Sequence, residues 1–202
     1  MTVGVSYREL LERHADGAAL DRLVRYAELV ERWAARHNLV HFASRQELVE
    51  RHLLDSLAGA HLLEGAGVLL DVGSGAGLPG VPLLAVRPAW SGVLLEPRQK
   101  RWAFLRLAVR ELGLDARAVD CRYEALDAGE RFDLVTSRAV GHHHGLLAWA
   151  GGGRLTAGGA VVLWTTEAGE ADVAEEPGWR VVSWPLVGLD RGRLVHLKPC
   201  ST

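Results

Sequence analysis

The stretch DVGSGAGLPG, residues 71–80, sets Gly73, Gly75 and Gly77 at alternate positions directly after the apolar run VLL. Such spacing serves a backbone that must turn sharply and come close to a ligand. Glycine adopts positive φ at little steric cost and puts no Cβ in the way. A helix starting just beyond would leave its first N–H groups free for a polar ligand. Glu96 closes the next apolar run, 23 residues after Gly73. A carboxylate there can accept hydrogen bonds from two vicinal ribose hydroxyls, as in other nucleotide sites. The same residues are also compatible with a tight strand-to-helix turn that holds no ligand.

These side chains need a strand before the turn and a helix after it, and the flanking pattern supplies both. GVLLDVG (67–73) is a short continuous apolar run, as in a parallel strand buried on both faces. A helix is expected over about 79–86, with Pro79 and Pro82 near its start, where a missing N–H costs little. SGVLLEP is a second strand, RQKRWAFLRLAVRELG a helix ended by glycine, ARAVD a third strand and FDLVTS a fourth. A helix near 144–150, the strand AVVLW, and two final strands, WRVVSW and RLVHL, complete the chain. Upstream, helices are expected over 6–15, 20–37 and 45–63. Leu20, Leu23, Val24, Ala27, Val30 and Ala34 form one apolar stripe, and Ser44 with Glu47 forms a capping box. This order predicts an α/β fold with a mostly parallel sheet, an antiparallel edge strand and an N-terminal helical cap. We expect one domain over 1–202, with a cap over 1–64 and a core over 65–202.

Composition narrows the function classes. The chain has 202 residues, is 49% hydrophobic and 24% charged, and contains no apolar run near the roughly 18 residues a membrane helix needs. Its first residues lack the apolar segment of a secretory signal, and its two cysteines, Cys121 and Cys200, show no metal-ligand spacing. A reduced cytoplasmic protein with no membrane partner and no metal is expected. The net charge of -2 argues against a globally basic nucleic-acid binder. Yet residues 97–122 hold seven cations, Lys100, Arg101 and Arg122 among them, against three acids. That local surplus suits either phosphates or a solvated helix face.

The G-x-G-x-G spacing after Asp71 departs from the dinucleotide fingerprint and is similar to the first motif of class I methyltransferases, whose cofactor is S-adenosyl-L-methionine. There Asp71 would organise the loop or meet the cofactor's ammonium, Glu96 would hold the ribose, and Gly75 and Gly77 would belong to the cradle. DVGSGAGLPGVPL, LLEPRQKRWAFL and TSRAV follow NLVHFASRQELVERHLLDSL (38–57) in order and spacing. Together they resemble the bacterial small-subunit ribosomal RNA guanine-N7 methyltransferase family, also called glucose-inhibited division protein B, from about residue 20 to 150. LPG after the glycines and TSRA are the specific parts.

The resemblance implies a class I (Rossmann-like) methyltransferase acting on N7 of one guanine in 16S ribosomal RNA, free or in the small ribosomal subunit. It implies that Gly73 and Leu78 line the cofactor, that Tyr123 and Glu124 flank its adenine, and that Arg138 stands at the cofactor site. Arg122, with Lys100 and Arg101, would face RNA. Ala34, Val40, Thr165, Thr166 and GHHHG depart from the family pattern. A small-molecule methyltransferase of the same fold and a non-catalytic, cofactor-binding, ribosome-associated protein are the alternatives.

Guanine N7 carries an unprotonated lone pair, so no general base is expected. Thr136, Ser137 and Arg138 replace the Asn/Asp-Pro-Pro-aromatic run common in enzymes that methylate exocyclic amines. His142, His143 and His144 read as a polar loop near the substrate mouth, Trp102 and Phe104 as core, and Cys121 as a buried spectator. His37, His41 and His52 read as surface or helix-packing residues, and 167–176 as a solvated helix or loop. Oligomeric state is not legible in the sequence.

Overall fold

A computed structural model describes residues 5–138, 141, 143–186 and 191–200. Apolar strand residues alternate between two cores. Leu69, Leu94 and Leu134 face the N-terminal helices, while Leu70, Val72, Val93, Leu95 and Val135 face the other side. Burial on both faces is why these strands read as unbroken apolar runs. The seven strands are β1 (Gly67–Val72), β2 (Trp90–Leu95), β3 (Ala116–Val119), β4 (Phe132–Arg138), β5 (Leu155–Thr166), β6 (Trp179–Pro185) and β7 (Gly192–Pro199). Their spatial order is β3-β2-β1-β4-β5-β7-β6. The first five are parallel; β7 runs antiparallel to β5, and β6 to β7. The chain leaves β1 in one direction and returns to β4 on its other side. In sheets of this kind ligands bind outside the strand C-termini at that reversal.

The helices are α1 (Tyr7–Leu11), α2 (Gly17–Ala34), α3 (Arg45–Leu48), α4 (Asp55–Leu57), α5 (Gly80–Val86), α6 (Gln99–Leu112), α7 (His143–Gly151) and α8 (Glu167–Val173). Gly113 ends α6 in the left-handed region at φ 59°, as its place after the apolar pattern predicts. The acidic stretch after β5 is helical as α8. In α2, Leu20, Leu23, Ala27 and Val30 are buried as the stripe predicts.

Two expectations are corrected. The segment expected as one α-helix over 45–63 is α3, a π-helical turn at Val49–Leu54, α4, and a 3₁₀ turn at Ala60–Leu62. Side chains compete for its carbonyls: Ser56 Oγ donates to His52 O at 2.6 Å, and Arg138 Nη2 donates to Arg51 O at 3.0 Å. Such insertions open the α-helical ladder. The capping box at Ser44 is only half formed. Ser44 Oγ accepts from Glu47 N, but the Glu47 carboxylate accepts from Ala43 N instead of Ser44 N. The reciprocal box is at Ser6 and Glu9.

Candidate active site

The turn after β1 uses each glycine differently. Gly73, Gly75 and Gly77 have φ of 70°, 58° and 95°. A Cβ on Gly75 would make only ordinary contacts, with Arg101 Nη1 at 3.6 Å and Gly73 O at 3.7 Å, so backbone conformation, not space, demands glycine there. A Cβ on Gly77 would lie 2.6 Å from Val81 Cγ2, so that glycine serves packing against the helix it precedes. Leu78 is buried in the core on the same side. Ser74 N donates to Leu95 O at 2.8 Å and ties the turn to β2. Tyr26 of α2, fully buried, supports it from below by donating its hydroxyl to Ala76 O at 2.7 Å.

Asp71 is fully buried and binds parts of the protein itself. Its carboxylate accepts from Gly80 N at 3.2 Å and from Thr136 Oγ1 at 2.8 Å, joining β1, the start of α5 and β4. A Cβ on Gly80 would fall 2.7 Å from Asp71 Oδ2, which is why glycine follows Leu78-Pro79. Of the two roles expected for Asp71, the geometry matches loop organisation.

Burial pushes the Asp71 carboxyl up to about 6, against the lowering effect of its donors. The folded-state value thus lies above the unfolded value near 4. The native state keeps this proton longer, so the group's contribution to stability is full below about pH 4 and is lost as pH rises through about 6. The loss is on the order of 2–3 kcal/mol by pH 7. Asp71→Asn should remove this component. Its amide oxygen can accept from Gly80 N, and its NH₂ can donate to Thr136 Oγ1, whose hydroxyl can turn to Leu70 O, 3.3 Å away. Chemical denaturation from pH 4 to 7 checks it: wild type should weaken relative to the variant as pH rises, and parallel curves would refute the assignment.

Beside Gly73 lies an open pocket of about 450 Å³ whose walls include Pro97, Arg98, Arg122, Tyr123 and Glu124. Cys121, expected to be a buried spectator, is only half-buried and lines this pocket, as the chain beyond β3 bends across the β2 end. Glu96 is buried at the edge. Its Oε2 accepts from Gly75 N at 3.1 Å and its Oε1 from Arg98 N at 2.9 Å. A carboxylate offers about four acceptor positions, so room remains for a diol. The Tyr123 ring is set by edge contact with Trp149, with centroids 5.2 Å apart. The structure therefore brings Gly73, Gly75, Glu96, Arg122, Tyr123 and Glu124 together. Lys100 is exposed in the first turn of α6, and Arg101 reaches back toward Gly75.

Arg138 ends β4 but points to the N-terminal helices. Its Nη2 lies 2.7 Å from Asp55 Oδ2, and it also contacts His52 O and Ser56 Oγ, both at 3.4 Å. The sequence reading missed Asp55, Tyr26 and Gly80 as supports of the site; the lone acid in LLDSL was the available signal for the first. The polar loop expected at the histidines is corrected: His143 and His144 open α7, and His144 bonds Asp172 and Glu176 of the α8 region. That acidic pair explains their helical docking; His142 lies outside the described residues. Trp102 is half-buried, its indole N–H donating to Ala118 O at 3.1 Å, and Phe104 is buried. Among the described residues no group of three or more His, Cys, Asp or Glu is placed to hold a metal, and no helix is long and apolar enough to cross a membrane.

The family model described as rRNA small subunit methyltransferase G matches residues 19–178. A relative from Stenotrophomonas maltophilia (strain K279a), named ribosomal RNA small subunit methyltransferase G, is 40% identical over 168 residues, covering 82% of this chain and 78% of the relative. One of the same name from Neisseria meningitidis serogroup C (strain 053442) is 42% identical over 134 residues, covering 66% and 64%. Among solved structures, a methyltransferase from Pyrococcus furiosus aligns with a TM-score of 0.63 at 17% identity, covering 89% of this chain and 99% of that one. The ribosomal protein L11 methylase of Lactobacillus delbrueckii subsp. bulgaricus aligns at 0.63 and 13%, covering 79% and 81%. These structural likenesses show the class I methyltransferase fold. With the sequence matches across most of its length, the chain belongs to the rRNA small subunit methyltransferase G family.

Proposed function

We propose that this protein is an S-adenosylmethionine-dependent methyltransferase that modifies N7 of a guanine in 16S ribosomal RNA, acting in the cytoplasm as one domain in which residues 1–64 cap a 65–202 core. The observation that carries it is the pocket between Gly73 and Tyr123–Glu124, over the C-terminal ends of β1 and β2 beside the sheet's reversal point, in a chain of this family. The residues fit the cofactor: a turn that presents Gly73, with no Cβ, to the pocket, a buried carboxylate with acceptor positions left, and a half-buried aromatic ring. S-adenosylmethionine supplies a sulfonium-bound methyl group. Glu96 takes the ribose hydroxyls, the glycine turn admits the cofactor's amino-acid end, and Tyr123 and Glu124 contact the adenine. The N7 lone pair needs no base, so the protein's work is alignment in a water-poor site. The ring gains positive charge during transfer, which nearby carboxylate or carbonyl oxygens would stabilise.

Nucleoside mass spectrometry of 16S RNA from cells lacking the gene tests the activity. One N7-methylguanine should disappear, and an unchanged profile rules the reading out. The loop is tested separately. Gly75→Val forces a β-branched residue to φ 58° and should weaken S-adenosylmethionine binding by roughly tenfold or more in calorimetry. Equal affinities would contradict the role given to the turn.

A further inference from the structure

A second cavity, of about 870 Å³, opens on the other side of the reversal point, with Leu54, Leu57, Ala58 and Pro185 among its walls and Asp55 in its lining. Asp55 stands over the C-terminal ends of two strands. Arg138, the last residue of β4, pairs with it, and Trp164 of β5 donates its indole N–H to Asp55 O at 2.8 Å. The side chain is almost wholly enclosed, at 1% exposure. The Arg138 guanidinium lies close but poorly aligned: among the described residues neither carboxylate oxygen of Asp55 has a hydrogen-bond partner. A buried carboxylate with unused acceptors is costly unless a donor completes it. No role in the cofactor pocket accounts for it, since Asp55 does not line that pocket.

We propose that Asp55 reads the acceptor base: its carboxylate, enclosed here beside Arg138, turns into this cavity and accepts hydrogen bonds from the N1–H and the exocyclic N2 amine of the target guanine. The inference rests on the rRNA methyltransferase reading and deepens it. Guanine is the RNA purine whose pairing edge presents two adjacent donors, which a carboxylate takes up together. Adenine presents an acceptor at N1 to the same carboxylate and is repelled. The apolar walls suit the faces of a base drawn out of its stack, as nucleobase-modifying enzymes require. Reading the pairing edge leaves N7, on the opposite side of the purine, free to meet the methyl group. Arg138 pairs with the carboxylate, and Arg51 lines the cavity together with Glu50.

Inosine tests this, because it keeps N7 and N1–H but lacks the N2 amine. Wild-type enzyme is first given small subunits lacking the modification, and the methylated position is read by mass spectrometry. Subunits rebuilt with guanosine or a single inosine there are then compared. Wild type should lose roughly ten- to a hundredfold in kcat/KM on inosine, the effect of one hydrogen bond to a charged group. Asp55→Asn should be slow on guanosine and discriminate far less between the two. A wild-type ratio near unity overturns the proposal without any variant, so poor folding of Asp55→Asn cannot shield it. A full wild-type ratio in Asp55→Asn also overturns it, while leaving the methyltransferase reading intact. Wild type inert on subunits overturns both, and does so at the first step.

Discussion

Glu96→Ala should lower the affinity for S-adenosylmethionine by roughly a hundredfold or more, the effect of losing two hydrogen bonds to a charged acceptor. Burial makes the loss large. Glu96 is 4% exposed and holds two backbone donors, Gly75 N at 3.1 Å and Arg98 N at 2.9 Å. Alanine removes the ribose acceptor and also leaves both donors unpaired, so the turn and the start of α6 lose their common anchor. Glu96→Gln separates these effects. Glutamine keeps one oxygen but presents its NH₂ to a backbone N–H, so it should fall between wild type and alanine. Titration calorimetry reads the affinities, and thermal melts should show a loss of only a few degrees, since the affected backbone can turn to water. Wild-type affinity in Glu96→Ala would remove the ribose from this carboxylate.

What was legible in advance follows from local physics. The β1–α5–β2–α6 run could be read because apolar periodicity changes from continuous to helical between fixed punctuation, and Gly113 stops α6 by its own conformation. The spacing of Glu96 after the glycines follows from the length of one strand-helix-strand unit. What was not legible depends on partners far along the chain. The π-helical turn before Asp55 answers to Arg138, 87 residues from Arg51. Tyr26, outside the expected apolar stripe of α2, is buried with its hydroxyl satisfied by Ala76 O, 50 residues away, which accepts its hydrogen bond. In the sequence Gly77 looks like part of the ligand cradle, and Gly80 carries no role. In space, Val81 demands the first and Asp71 the second. The resemblance gives Arg138 a place at the cofactor site; its guanidinium contacts, with Asp55 and the carbonyls of the N-terminal helices, were likewise not legible in the sequence.

That position makes Arg138→Ala the other large effect, expected in stability as well as activity. Removing one partner of a buried ion pair typically costs ~3–5 kcal/mol, because the remaining charge is stranded. Here the stranded group is Asp55, at 1% side-chain exposure, while Arg138 itself is 18% exposed. Arg51 O also loses its donor, so the π-helical turn should relax toward regular winding. In a chain of this size the melting temperature should fall by roughly 10 °C. Burial already raises the Asp55 carboxyl above its usual range, and Arg138 opposes that rise. Without Arg138 the rise is larger, so the folded variant favours the protonated acid and its deficit against wild type should shrink as pH falls. Thermal melts at several pH values check both points; a constant deficit would mean that the stranded carboxylate is not its source. Asp55→Leu combined with Arg138→Met then divides structure from function. Apolar replacement of a buried pair is often neutral or stabilising, so the double variant should recover most of the lost stability. Methyl transfer to small subunits should stay lost, because a leucine cannot accept the donors of a guanine. Recovery of both stability and activity would reduce the pair to a tie between β4 and the N-terminal helices.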